Sequence, residues 1–297
     1  MIDFTKFKPM KPPSGTLNID DVIYPKRGSI KYDGFRVVIM NGRTWLNSLR
    51  EIDNLYTRKT LEFYSDILDK FDCELTVGDV TDPECFNNCQ SAFSKVTGEP
   101  DFTLWVFDRV SEGSYSERFL KFQKLNDYPK FVKFVSQVNI NSREELDFYQ
   151  ELVINDRHEG IMLRDSRSNY KFGRATFKSQ EILRIKPMET DEAIVIGFEP
   201  AYENTNEKTV DNHGNSKRSS HKSGKVVKCT LGSLICTHPK FGEIKLSSFT
   251  AKYALVIWEH QDYYLGKLAT FSYQAHGTTD KPRLPKFKGF RVEGDMS

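Results

Sequence analysis

Ser29 to Val38 reads SIKYDGFRVV and sets Lys31 two residues before an Asp-Gly pair and Arg36 two beyond it, at the end of a run patterned as a strand. The spacing K-x-D-G-x-R admits two readings. In one, Asp-Gly makes a tight turn, and Lys31 and Arg36 are solvated flanking charges. In the other, Lys31 is a nucleophile. An ammonium group is unreactive and a lysine's reference pKa lies near ~10.4, so such a site must lower that value by burial or by neighbouring positive charge. Asp33 would then orient the turn through its own side chain or contribute to the catalytic environment. A four-residue match of this kind arises by chance in roughly one unrelated chain in three hundred of this size at average residue frequencies, which leaves both readings open.

Further residues with chemical capacity follow in order: Glu74 in DCELTV, Phe107 in WVFDRV, Glu159 in HEGIMLRD, and Arg184 and Lys186 in ILRIKPM. Taken singly, Glu74 reads as an outward strand residue and Glu159 as a surface acid before a turn. Phe107 alternates with apolar neighbours and reads as core. Arg184 and Lys186, two apart on a strand, project to one face, where phosphates can be gripped.

These residues need elements to position them. The length of 297 residues suits one large domain or two moderate ones. RVVIM, ELTVGDV and FTLWVFDRV are β-rich runs, with a helix candidate over EIDNLYTRKTLEFYSDILDKF between them. SREELDFYQELVIND opens on a Ser-x-x-Glu capping box and spaces its apolar residues as a helix does. Residues 202–225 then lose nearly all apolar character, which reads on composition as an exposed excursion or a disordered linker. KVVKCTLGSLICT, GEIKLSSF and GKLATFSYQAH follow as the strands of a small all-β barrel. The class is α+β, with domains expected at 1–188 and 189–297.

Composition narrows the partners little: 43 basic against 41 acidic residues leave a net charge of +2, so any basic surface must come from local clustering. No run approaches the ~18 apolar residues of a membrane span, and the opening MIDFTKFKPMKPPSG lacks the apolar segment of a secretion signal. An intracellular place is expected. The five cysteines are odd in number and lack the spacing of a zinc site, so they read as reduced thiols.

Together and in this order, the motifs resemble the collinear motifs of the nucleotidyltransferase superfamily of ATP-dependent DNA ligases, RNA ligases and mRNA capping enzymes. NYKFGRATFKSQEILRIKPM, ENTNEKTVDNHGNSKRSSHKSGK and KPRLPKFKGFR are similar to the matching stretches of the minimal viral ATP-dependent DNA ligases, and the likeness spans nearly the whole chain. It implies an ATP-grasp-like nucleotidyltransferase domain followed by an OB-fold. It further implies ATP, with AMP as a covalent adenylate, and Mg²⁺ or Mn²⁺. The implied partner is nicked duplex DNA, and the implied protein is a virus-encoded monomer without a membrane.

Residue by residue, the resemblance makes Lys31 the group that attacks the ATP α-phosphate, with Asp33 and Arg36 beside it and Arg36 near the ribose. It places Glu74 on the ribose, Phe107 against adenine, Glu159 on the metal, and Arg184 and Lys186 on phosphates. Arg174 would bind the 5′-phosphate of the nick. Residues 202–228 would form a DNA-binding latch hairpin carrying Lys208, Lys217, Arg218, Lys222 and Lys225. Arg283 and Asp295 match the last motif, which orients the pyrophosphate and demands movement of the OB domain.

Three positions depart from the pattern. Asn47 stands where an arginine usually helps bind the nick phosphate, so end binding is expected to be weaker or shared with Arg50. Arg184 replaces a lysine, and Met296 replaces a basic residue. The rivals are an RNA ligase, a GTP-using capping guanylyltransferase, and a non-catalytic nucleic-acid-binding protein in which Lys31 is idle.

Overall fold

A computed structural model describes residues 7–123, 128–212 and 214–291. The chain divides into two units, the first ending at Lys186 and the second beginning at Pro187.

In the first unit, β1 (Lys26–Ile30), β2 (Phe35–Met40) and β3 (Arg43–Leu46) precede α1 (Leu55–Phe63) and α2 (Ser65–Leu68). Then come β4 (Phe71–Val77), α3 (Cys85–Phe93), β5 (Phe102–Arg109), α4 (Tyr115–Gln123), β6 (Val132–Phe134), β7 (Gln137–Ile140), α5 (Arg143–Asn155), β8 (Ile161–Arg164) and β9 (Ile182–Ile185). They make two sheets, ordered β7-β1-β8-β9 and β3-β2-β4-β5-β6. All pairings are antiparallel except β5 with β6.

The period-two alternation of the central strands decides which residues are available for function. Val37 and Ile39 of β2, Cys73 and Leu75 of β4, and Leu104 and Val106 of β5 are fully buried, packed with Leu61 of α1 and with Cys85, Cys89 and Phe93 of α3. The alternate residues Arg36, Glu74 and Phe107 therefore fall on the opposite faces. Phe107, which alternation alone assigns to the core, belongs to the face away from it.

The helix expected over 51–71 is shorter and divided. Asn54 caps it, accepting the Thr57 N–H at 2.8 Å, and this fixes the start of α1. Tyr64, at φ −92° and ψ 12°, separates α1 from α2. At α5, Ser142 accepts the Glu145 N–H at 3.3 Å, while Glu145 reaches back to the N–H of Asn141 at 2.7 Å, a capping box closed one residue early.

The second unit runs β10 (Met188–Asn204), β11 (Lys208–Val210), β12 (Ser216–Arg218), β13 (Lys225–His238), β14 (Gly242–Leu246), α6 (Ala251–Glu259), α7 (Gln261–Tyr264), β15 (Leu268–Gln274) and β16 (Arg283–Phe290). Its main sheet is ordered β14-β13-β10-β15-β16. The edges meet where Ser247 bridges Lys286 and the Phe287 N–H donates to the Ser247 carbonyl at 2.9 Å, which curls the sheet into a barrel. Leu234, Cys236, Leu246 and Phe271 fill it.

Strand patterning treats this unit as all-β, and it misses α6. Thr250 caps that helix by accepting the Tyr253 N–H, and Ala254 and Ile257 press into the barrel core. The polar stretch that reads as a linker is a hydrogen-bonded ribbon. β10 and β13 stay paired out to Asn204 and Lys225, and β11 pairs with β12 beyond them. The Asn206 amide donates to the carbonyls of Ser219 and His221 at 3.0 and 2.9 Å, so asparagines substitute for an apolar core there.

Candidate active site

A cavity of about 390 Å³ in the first unit is lined by Lys31, Tyr32, Gly34, Arg36, Glu74 and Phe107, with Met162, Arg164, Ile182 and Arg184 from β8 and β9. This volume lies within the ~300–1,000 Å³ usual for small-molecule sites. Two glycines allow the approach of backbones that builds it. A Cβ on Gly34 would sit 2.3 Å from the carbonyl oxygen of Leu75, and one on Gly160 would sit 2.2 Å from that of Ile185. Gly34 thus lets the loop after β1 lie against β4 next to Glu74. Gly160 brings Glu159 beside Lys186, and its carbonyl accepts the Lys31 N–H at 2.8 Å. Gly34 of the Asp-Gly pair therefore serves both a close backbone approach and the cavity wall.

Glu159 is the pivot of the charges. Its Oε2 pairs with the Lys31 ammonium and its Oε1 with that of Lys186. The Glu159 side chain is 1% exposed, against 21% for Lys31 and 22% for Lys186. Burial alone would push the carboxyl up, but the two ammoniums outweigh it and hold it at about 2. Lys31 is pulled the same way: burial favours its free amine, yet Glu159, with Glu74 and Asp33, raises it above the ordinary lysine value. Lys186 is lowered, chiefly by burial and also by Lys31 and Arg184. Glu74 is pushed up to about 7 by burial, which exceeds the opposing pull of Lys31 and Arg36.

Arg36 lines the cavity, but its guanidinium forks onto both oxygens of Asp72, at 2.8 and 2.5 Å. It also donates to the Met10 carbonyl at 2.6 Å. The Tyr170 hydroxyl donates to Asp72 at 2.6 Å and accepts the Met10 N–H at 3.2 Å, closing a buried network. Phe107 lies beneath two cations, 5.5 Å from Arg36 and 4.9 Å from Arg164. One ring face and one acidic edge thus flank the nucleophile candidate.

The other sequence candidates are dispersed. Asp33 is buried and is not among the lining residues. Arg184 is exposed on β9 and lines the cavity, whereas Lys186 lies just past the last residue of that strand. Arg174 and Asn47 line the cavity too, and Arg174 donates to the Pro12 carbonyl at 2.7 Å. Arg50 is exposed and absent from the lining. Lys208, Lys217, Lys222 and Lys225 are exposed on the ribbon, where Arg218 donates to the Asn206 carbonyl. Arg283 opens β16, paired with Gln274, while Asp295 and Met296 lie outside the described residues.

Sequence reasoning passed over Asp72, Tyr170, Arg164 and the stretch Lys11–Pro12. For Asp72 a signal exists: it stands two residues before Glu74 on one strand and so shares its face. Pro12 and Lys11 stand in a non-periodic stretch that carries no such signal.

Among the described residues no three His, Cys, Asp or Glu side chains gather as a metal cage. The donor set is one buried carboxylate, Glu159, with Glu74 in electrostatic reach. That fits Mg²⁺, which is commonly held by one or two carboxylates, waters and the phosphate oxygens of a substrate. The cysteines at 73, 85, 89, 229 and 236 are free. No helix among the described residues is long and apolar enough to cross a membrane.

No protein-family model and no curated protein sequence matches the chain. Solved structures do. The Chlorella virus DNA ligase-adenylate is 24% identical, covers 97% of this chain and 99% of its own, and superposes with a TM-score of 0.54. A Lig E DNA ligase, described as binding DNA with a minimal scaffold, is 20% identical, covers 98% of this chain and 100% of its own, and has a TM-score of 0.70. At these identities the likeness is one of fold: an α+β unit followed by a β-barrel unit, the order of architecture that the collinear motifs imply.

Proposed function

We propose that the protein is an ATP-dependent DNA ligase that seals 3′-hydroxyl/5′-phosphate nicks in duplex DNA. The observation that carries this reading is the pairing of Lys31 and Lys186 on the buried Glu159, with Lys31 on the lining of a cavity that Glu74 and Phe107 wall. Lys31 attacks the α-phosphorus of ATP: a nitrogen–phosphorus bond forms, the bond to pyrophosphate breaks, and Lys31 carries AMP. The 5′-phosphate of the nick then takes the adenylate, releasing Lys31, and the 3′-hydroxyl displaces AMP.

The resting array holds Lys31 protonated, because Glu159 outweighs burial. Attack requires the amine, so Glu159 must turn its charge elsewhere. Burial then favours the unprotonated nucleophile. Mg²⁺ held by Glu159 and the phosphate oxygens would supply positive charge at the reacting phosphate. Lys186 and Arg184 steady the developing charge on non-bridging oxygens. Phe107 offers the adenine a ring face, and Glu74, ionised above about pH 7, accepts a ribose hydroxyl.

The ribbon supports DNA as the partner. Lysines with Asn, Ser and Gly between them suit sequence-independent phosphate contact. The test joins radiolabelled ATP or GTP with a nicked duplex and reads covalent label and sealed product on denaturing gels. Labelling by ATP and sealing of nicked DNA are expected. Labelling by GTP alone, or sealing only of nicked RNA, would overturn the proposal in favour of a capping enzyme or an RNA ligase. Binding without label would leave a nucleic-acid-binding protein.

A further inference from the structure

The stretch from Lys8 to Pro12 stands outside every sequence motif, yet it forms part of the cavity wall. The Lys11 N–H donates to the Gly173 carbonyl at 2.8 Å, the Gly173 N–H to Lys8 at 3.0 Å, and the Ala175 N–H to Lys11 at 2.7 Å. This short parallel ladder sets Lys11 beside Arg174, its bridge partner. Arg36 and Arg174 pin the Met10 and Pro12 carbonyls on either side. Lys11 is thus held by backbone on both flanks, and its position does not depend on its own side chain.

Its ammonium lies 3.4 Å from the Asn47 carbonyl oxygen, and Lys11, Asn47 and Arg174 all line the cavity, whereas Arg50 does not. Glu74 is the one carboxylate among the described lining residues, against six lysines and arginines. Lys11 and Arg174, bridge partners, are thus two cations on the same lining as the uncharged Asn47, whose backbone carbonyl Lys11 reaches. A guanidinium fork and a neighbouring ammonium suit a phosphate monoester, which carries nearly two negative charges near neutral pH.

Resting on the proposed function, we infer that Lys11 recognises the terminal 5′-phosphate of the nick together with Arg174 and supplies the charge that Asn47 lacks. The contact orients the phosphate as it meets the adenylate on Lys31. Lys11 is then a substrate-recognition residue of the DNA steps, provided by a part of the chain far from Asn47 in sequence.

The full chain and its Lys11→Ala, Lys11→Gln, Lys11→Arg and Lys11→Ala/Asn47→Arg variants test this. Two quantities are measured: binding to nicked duplexes ending in 5′-phosphate or 5′-hydroxyl, and single-turnover reaction of the pre-adenylated protein with the 5′-phosphate nick. Removing the charge should weaken 5′-phosphate binding tenfold or more and erase the preference over 5′-hydroxyl. Label transfer from ATP should lose at least tenfold less than the DNA steps do. Lys11→Arg and the double variant should recover most of the preference. The inference is overturned if Lys11→Ala and Lys11→Gln still distinguish the two ends as the parent does, or if covalent labelling falls as far as sealing. A parent chain that seals no nick would sink the proposed function instead, and end discrimination in binding would still judge Lys11.

Discussion

The cavity of the first unit and the ribbon of the second both concentrate positive charge, and they treat it in opposite ways. In the cavity, Lys31 and Lys186 share Glu159, and Arg36 is forked onto Asp72, whose side chain is 1% exposed. On the ribbon the lysines stand in solvent, and Lys228 meets Glu203 only at 3.6 Å with both side chains about half exposed. An exposed pair of that kind contributes ~0–1 kcal/mol, whereas breaking a buried pair costs roughly 3–5 kcal/mol. Buried charges are therefore set in defined protonation states. Exposed ones hold reach and remain sensitive to salt.

The contrast can be broken most severely at its centre. Lys31→Ala should remove covalent AMP labelling altogether, read on a denaturing gel, while the fold persists by circular dichroism. Next, Glu159→Gln removes the carboxylate that pairs both ammoniums. It should cost about 3–5 kcal/mol in denaturant unfolding and slow labelling by on the order of 10²-fold or more. The carboxyl is held at about 2 against an ordinary 4.5, so its stabilisation is present above pH 4.5 and is lost as the pH falls toward 2. The variant should lack that part of the acid transition.

Glu74 gives a smaller effect of opposite sign. Its carboxyl is raised to about 7, so the folded protein holds a proton that the unfolded chain releases near 4.5. The stabilisation from that proton is complete below pH 4.5 and is lost as the pH rises through 7. Glu74→Gln should therefore melt with the parent at pH 4 and a few degrees above it at pH 8, by calorimetry without nucleotide. The smallest change is expected on the ribbon. Lys217→Ala should weaken nicked-duplex binding about two- to fivefold and reduce the log–log salt slope by about 1, whatever the sequence around the nick. A larger, salt-insensitive loss would give the ribbon the character of the cavity.

What was legible in the sequence follows the same division. Lys31, Glu74, Phe107 and Arg184 are singled out by their ordered place in a set of motifs rather than by local pattern, which reads Glu74 as an outward strand residue and Phe107 as core, and the fold brings all four to one cavity. Glu159 and Lys186 are singled out as well, but the joint hold of Lys31 and Lys186 on the Glu159 carboxylate is not, since it depends on Gly160 admitting the Ile185 carbonyl. Lys11 and Arg174 meet through a bridge across most of the first unit, and no periodicity announces such a pairing. In the second unit, α6 was missed because AKYALVIWE carries Val, Ile, Tyr and Trp, which favour strands, and only the Thr250 cap and the packing of Ile257 decide for a helix. Composition alone leaves the ribbon as an exposed excursion or a linker, because asparagine amides rather than apolar contacts hold it together, and only the resemblance implies a hairpin there.

β10 is a single strand of 17 residues, and at ~3.3 Å per residue it spans roughly 55 Å. Its first half is a stave of the barrel, with Ala193 and Val195 in the core, and its second half is the exposed ribbon. Mechanically this is a cantilever built into its wall. The irregularities at Val195/Gly197, Glu199/Pro200 and Pro200/Tyr202 are the places where it can bend. A load at the tip arrives at its root as torque on the barrel, so a rigid body held at the ribbon's end would turn the barrel with it.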